Sequence, residues 1–112
     1  MSPRPRLARN DVCWADLGGD VGRRPVVVLT RDAAAAVLDS VTVAPVTRTV
    51  RGIRSEVPLG PQNGLPTDCV ANCDHLMTIR AEHLDAERVG TLTLAQRAEL
   101  DDALRYALDI LG

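Results

Sequence analysis

Apolar positions along the chain fall first into short β-branched runs and then, near the end, into a single stretch at helical spacing. Residues 12–17, 26–29 and 41–46 combine Val, Ala and Leu with few interruptions and predict three strands. Between the first two lies Gly18-Gly19-Asp20-Val21-Gly22, a turn-forming segment because glycine accepts positive φ without steric cost. Asp32 followed by four alanines predicts a short helix over residues 32–38, with the aspartate as N-cap. Residues 49–55 form an Arg-rich turn around Gly52. Residues 56–59 then alternate as a strand, and Pro58, which has no N–H to give a ladder, places that strand at an edge. After a loop at residues 60–64, residues 69–76 and 77–80 read as further strand. Thr93 and Gln96 make a capping box for the last helix. Leu100, Leu104, Ala107, Leu108 and Leu111 fall on one of its faces, and Arg97, Asp101, Arg105 and Asp109 on another. The prediction is one α+β domain, mainly β, spanning residues 1–112: a small barrel-like sheet with a long C-terminal helix and a flexible N-terminal arm over residues 1–8.

A chain of 112 residues with 46% hydrophobic side chains buries a modest core, and domains this small gain from association, so a homodimer is expected. No apolar stretch approaches the roughly 18 residues that span a bilayer, and the first nine residues hold no apolar segment of a secretion signal; a soluble, cytoplasmic protein is expected. Charge changes the picture more. All 13 basic residues are arginine; residues 1–54 carry nine of them against five aspartates, while residues 55–112 carry four against ten acids. The formal net charge of −2 conceals a basic half suited to a polyanion.

The candidate chemistry sits at strand ends. Arg24 precedes Pro25 at the mouth of the second strand, where proline restricts the backbone and the planar guanidinium matches phosphate geometry. Thr47 closes the third strand with a stiff hydroxyl that can donate to a phosphate oxygen, although threonine is also an ordinary strand residue. Asp74 and His75 follow Cys73, and imidazole is the side-chain type that exchanges protons near neutrality. Arg23, Arg48, Arg51 and Arg54 are further donors for backbone phosphates. With one Trp, one Tyr and no Phe, recognition by base stacking is expected to be minor. Cys69-x3-Cys73-x-His75 brings metal-binding residue types together. In a continuous strand, however, the two cysteines lie about 13 Å apart, whereas zinc needs sulfurs within about 4 Å. No metal and no cofactor are expected, and the three cysteines read as reduced structural thiols.

Four ordered blocks carry a family resemblance. These are Arg9-Asn10-Asp11-Val12-Cys13-Trp14-Ala15-Asp16-Leu17, the Arg23–Thr30 run, the Val41–Thr49 run, and Gly64-Leu65-Pro66-Thr67-Asp68-Cys69-Val70-Ala71-Asn72 continuing through Thr78-Ile79. Together they resemble the MazF/PemK family of toxin endoribonucleases over nearly the whole chain. The resemblance implies an SH3-like barrel of the CcdB/PemK type. It also implies a type II toxin that cuts single-stranded RNA selectively and without metal, leaving a 2′,3′-cyclic phosphate and a 5′-hydroxyl. It assigns cleavage to Arg24 and Thr47 and acid/base work to Asp74; RNA contact by Arg23, Arg48, Arg51, Arg54 and His75 is read from their own chemistry. The partners it implies are RNA, a second copy of the chain, and a cognate antitoxin with a disordered acidic tail. An arginine is too weak an acid to serve as a literal base, so Arg24 is read as a charge stabiliser.

The chain departs from the family pattern at two places. Only six residues, 18–23, stand where the family carries a longer loop with a Glu-Gln core, and Asn72 stands where the PemK branch has Arg, with His75 nearby in place of the usual Gln. Two other readings follow. One is a non-enzymatic gyrase poison of the CcdB type, though the ending Asp109-Ile110-Leu111-Gly112 lacks that branch's Trp-Gly-Ile; the other is a degenerate member that binds RNA or antitoxin without cutting.

Overall fold

The computed structural model describes residues 7–35 and 37–111. Seven strands and two helices occur in the order β1 (Asp11–Asp16), β2 (Arg23–Val28), α1 (Asp32–Ala35), β3 (Ser40–Thr47), β4 (Glu56–Leu59), β5 (Cys69–Asn72), β6 (Met77–Arg80), β7 (Gly90–Thr91) and α2 (Leu94–Ala107). The strands run β4-β5-β3-β2-β1-β7 across a curled sheet, with β6 also on β3. β3 is the hub. Its first half pairs with β6 (Ser40↔Arg80 to Val43↔Met77), and its last two residues pair with β5 (Val46↔Ala71, Thr47↔Val70). Changing neighbours along one strand bends the sheet and opens a notch where β5 ends and β6 begins.

Both faces of the central strands are buried, with the period-2 alternation that the β-branched runs predict. Val12, Val27, Ala44 and Val46 face one core cluster with Val57, Leu92 and Leu100. Cys13, Val26, Val28 and Val43 face the other, with Ile79 and Leu84. α2 lies over β4 and the turn after β5. Its capping box is formed: Thr93 Oγ1 accepts from the Gln96 N–H, and the Gln96 carboxamide accepts from the Thr93 N–H. Gln96 and Asn63 then bond each other's amides at 2.7 and 3.1 Å inside the core, joining the helix start to the 60–64 loop.

Pro58 lies on an edge strand, as expected, because among the described residues β4 pairs only with β5. Three expectations are corrected, and one strand is added. Strand 69–76 stops at Asn72, and Cys73–His75 forms a single 3-10 turn. The helix expected over 32–38 is four residues long. α2 ends at Ala107, and Asp109 adopts a φ of 56°, so Leu108 and Leu111 are exposed instead of packed. Gly90–Thr91, too short to signal a strand, pairs with β1. Of the expected arm over residues 1–8, residues 1–6 lie outside the described residues. Leu7 packs against the second cluster, and the Ala8 N–H donates to Asp11.

Candidate active site

β2 and β3 run antiparallel with Val26 opposite Pro45. The pairing stops there, with Arg24 and Thr47 each two residues beyond its end on the same side. Both side chains line the same two adjoining clefts. The first, of about 630 Å³, is completed by Leu17 and Val21, by Thr49 and Arg51, and by Asn72, His75, Leu76 and Met77 from the notch. The second, of about 380 Å³, is completed by Trp14, Arg23, Arg48 and residues 65–67. Arg24 and Thr47 thus stand on the boundary between two hollows, where a chain passing from one to the other must cross them.

Thr47 is half-buried, and its Oγ1 accepts the Thr49 N–H at 3.1 Å. That bond occupies a lone pair and leaves the hydroxyl proton for another acceptor. Arg24 is exposed, and its guanidinium makes no hydrogen bond or ion pair to any described residue. An unpaired guanidinium beside a free hydroxyl proton is an arrangement for binding an anion.

The other expected phosphate donors divide. Arg51 lines the first cleft, and Arg48 the second, each without a carboxylate partner among the described residues. The 48–54 turn that carries them is pinned by Glu56, one carboxylate oxygen of which accepts the N–H groups of Arg51 and Gly52, both at 2.9 Å. Arg23 is held by Asp85 at 2.7 Å, and this contact lowers the carboxyl pKa of Asp85. Arg54 lies 4.6 Å over the Tyr106 ring, on α2, and lines neither cleft.

His75 and Asp74 part company. The 3-10 turn brings His75 into the first cleft, whereas Asp74 lines neither. Its Oδ2 accepts from the buried Ser55 hydroxyl at 2.5 Å, tying the turn to the start of β4. Asn72, at the end of β5, takes the Asp74 N–H on its side-chain oxygen at 2.9 Å, and its Nδ2 meets His75 Nδ1 at 3.3 Å.

Sequence reasoning missed Trp14 and Asn72. Trp14 pairs with Pro25 across β1–β2 and forms a wall of the second cleft, giving an aromatic surface next to Arg24. The sequence marks Asn72 only as a departure from the family's Arg; its role as a cap arises only where the strand ends. Cys13, Cys69 and Cys73 are all free and buried. Burial pushes Cys13 and Cys73 up to about 11 and raises Cys69 as well, which leaves them protonated and inert at neutral pH. No group of three His, Cys, Asp or Glu among the described residues is placed to hold a metal, and no helix there is long and apolar enough to cross a membrane.

Comparison with known proteins points one way. Residues 8–108 match the model of the PemK-like, MazF-like toxins of type II toxin-antitoxin systems. Over 87 residues the chain is 41% identical to endoribonuclease MazF3 of Mycobacterium tuberculosis, an alignment covering 78% of this chain and 84% of that one. Its fold superposes on the Mycobacterium tuberculosis toxin MazF-mt6 with a TM-score of 0.84 at 37% identity, covering 91% of this chain and 99% of the other. It also matches a mycobacterial endoribonuclease solved with its cognate antitoxin, at a TM-score of 0.83, 28% identity, and 95% and 98% coverage.

Proposed function

The chain belongs to the PemK-like, MazF-like toxins of type II toxin-antitoxin systems, and from that premise we propose that this endoribonuclease cuts single-stranded RNA at the boundary between its two clefts, with Arg24 and Thr47 on the scissile phosphate. The observation that carries the reading is the meeting of an unpaired guanidinium and a hydroxyl with a free proton, side by side on facing strands.

In the proposed step the 2′-hydroxyl oxygen of one nucleotide attacks its own 3′-phosphorus, forming the 2′-O–P bond as the P–O5′ bond breaks. The 2′-hydroxyl gives up its proton, and the departing 5′-oxygen gains one. The products are a 2′,3′-cyclic phosphate and a 5′-hydroxyl, and no oxidant, water or metal enters the balance. Negative charge gathers on the phosphoryl oxygens in the transition state, and fixed donors aimed there are usually the largest contribution to such catalysis. Arg24 supplies a permanent positive charge and paired N–H donors, and Thr47 supplies one short O–H. Arg51 and Arg48 extend the grip to phosphates on either side. Asp74, engaged by Ser55 outside the clefts, serves to hold the turn carrying His75.

The partner is a separately encoded antitoxin, as in the matched mycobacterial complex; an acidic, disordered tail suits the basic half of the chain. A homodimer is in keeping with Leu108, Ile110 and Leu111, the apolar side chains left open at the end of α2. The function is tested by incubating the protein with a mixed RNA pool in EDTA and labelling new 5′ ends with a polynucleotide kinase. Ends that accept phosphate directly, opposite cyclic-phosphate 3′ ends, support the reading; ends that already carry phosphate, or cutting that requires added metal, overturn it.

A further inference from the structure

We propose that Asn72 is a positioning residue that locks His75 in its Nε2–H tautomer, so that the ring offers the first cleft a neutral hydrogen-bond donor for RNA. This rests on the proposed function for the identity of the ligand, but the tautomer itself does not.

The orientation of the Asn72 carboxamide follows from the backbone. The Asp74 N–H can only donate, and it points at the side-chain oxygen of Asn72 at 2.9 Å. The other end of that amide is therefore the NH2 group, which also can only donate. It faces His75 Nδ1 at 3.3 Å, and a donor facing a ring nitrogen requires a lone pair there. Nδ1 is thus the unprotonated nitrogen, and the neutral ring must carry its proton on Nε2. Nε2 is the polar atom left for the cleft that His75 lines beside Arg24 and Thr47, and it has no partner among the described residues.

The fold holds each part of this relay in place. Asn72 is buried as the last residue of β5, opposite Glu56 in the β4 ladder. Its cap on the 3-10 turn and the Ser55–Asp74 bond leave the turn little freedom. His75 is therefore presented as a donor of fixed direction. A donor without charge suits an acceptor on a base edge or a phosphoryl oxygen that Arg24 does not reach. It does not suit proton abstraction, because in this tautomer Nε2 has no lone pair to receive a proton.

Nitrogen NMR on protein labelled with 15N-histidine reads the tautomer without any RNA, His83 serving as the exposed internal reference. In the wild-type protein at a pH where imidazole is neutral, His75 should show a protonated Nε2 and a bare Nδ1. Asn72→Asp replaces the facing donor with a carboxylate that only accepts, and the assignment should invert to Nδ1–H. Alongside this, His75→Ala should weaken binding of an RNA with a 2′-deoxy block at the cut site by about five- to tenfold, the worth of one hydrogen bond, with unchanged melting. A wild-type Nδ1–H tautomer, an Asn72→Asp variant that keeps Nε2–H, or unchanged binding by His75→Ala overturns the inference even where the wild type cuts RNA. A wild type that neither binds nor cuts RNA overturns the proposed function, and with it the RNA contact, whichever tautomer is found.

Discussion

The Ser55 hydroxyl donates to Asp74 Oδ2 at 2.5 Å, so the carboxylate that family resemblance assigns to proton transfer is already engaged in joining two loops. Ser55 is fully buried, and hydrogen bonds to a charged group contribute about 1.5–3 kcal/mol. Asp74→Asn should accordingly lower stability by about 1–2 kcal/mol in urea unfolding while leaving cleavage by the folded protein within about tenfold of wild type. A loss of two orders of magnitude with unchanged melting would return Asp74 to the reaction.

Asp85 occupies the guanidinium of Arg23, one of the proposed RNA contacts. The pair is solvent-exposed on both sides, with side-chain exposures of 55% and 44%, so breaking it should leave the melting temperature essentially unchanged. Asp85→Asn releases a guanidinium at the rim of the second cleft. RNA binding should tighten, and the slope of log affinity against log salt should steepen by about 0.7, the value for one more phosphate contact on a single strand. An unchanged slope would show that Arg23 does not reach the backbone.

The buried thiols give the pH dependence its sign. Cys13 and Cys73 titrate near 11 in the fold against 9.0 when free, because burial disfavours the thiolate. Folded-state values above the unfolded ones mean that their stabilisation is complete below about pH 9 and is lost as pH rises towards about 11. Urea midpoints should fall across that window, and Cys13→Ala with Cys73→Ala should flatten the fall. Native protein at neutral pH should react with iodoacetamide far more slowly than unfolded protein.

Gly64 sits at a φ of 81°, and a Cβ there would overlap the Val89 carbonyl oxygen. Gly64→Ala should cost about 3 kcal/mol or more, through strain and the displacement of β7 from β1. A melting temperature within a few degrees of wild type would show that the 60–64 loop yields more readily than its packing implies.

What the sequence made legible follows the range of the interactions. β1, β2 and β3 are visible because Val12, Val26–Val28 and Val41–Val46 pack through alternation within a few residues, and the start of α2 through Thr93 and Gln96. The end of β5 was invisible: residues 73–76 hold no Gly or Pro to mark a break, and the Asn72 cap and the bond to Ser55 hold residues 73–75 in a 3-10 turn. β7 is only two residues long, and Gly90 sits where a Cβ would overlap the Asn63 carbonyl, a backbone fit that no local pattern signals. In the site, Arg24 and Thr47 could be placed together because consecutive antiparallel strands face each other. The diversion of Arg23 to Asp85, 62 residues away, could not be foreseen, nor could the stacking of Arg54 on Tyr106.

The central claim is that Arg24 and Thr47 act together on one phosphate, and single-turnover cleavage of a defined RNA in EDTA tests it most directly. Arg24→Ala should slow the chemical step by about a hundred- to a thousandfold, as for removal of one donor to a developing oxyanion. Thr47→Ala should slow it about ten- to a hundredfold, and the double variant by less than the product, because residues acting as a unit are not additive. Cleavage that survives both substitutions in proteins with wild-type melting would contradict the account.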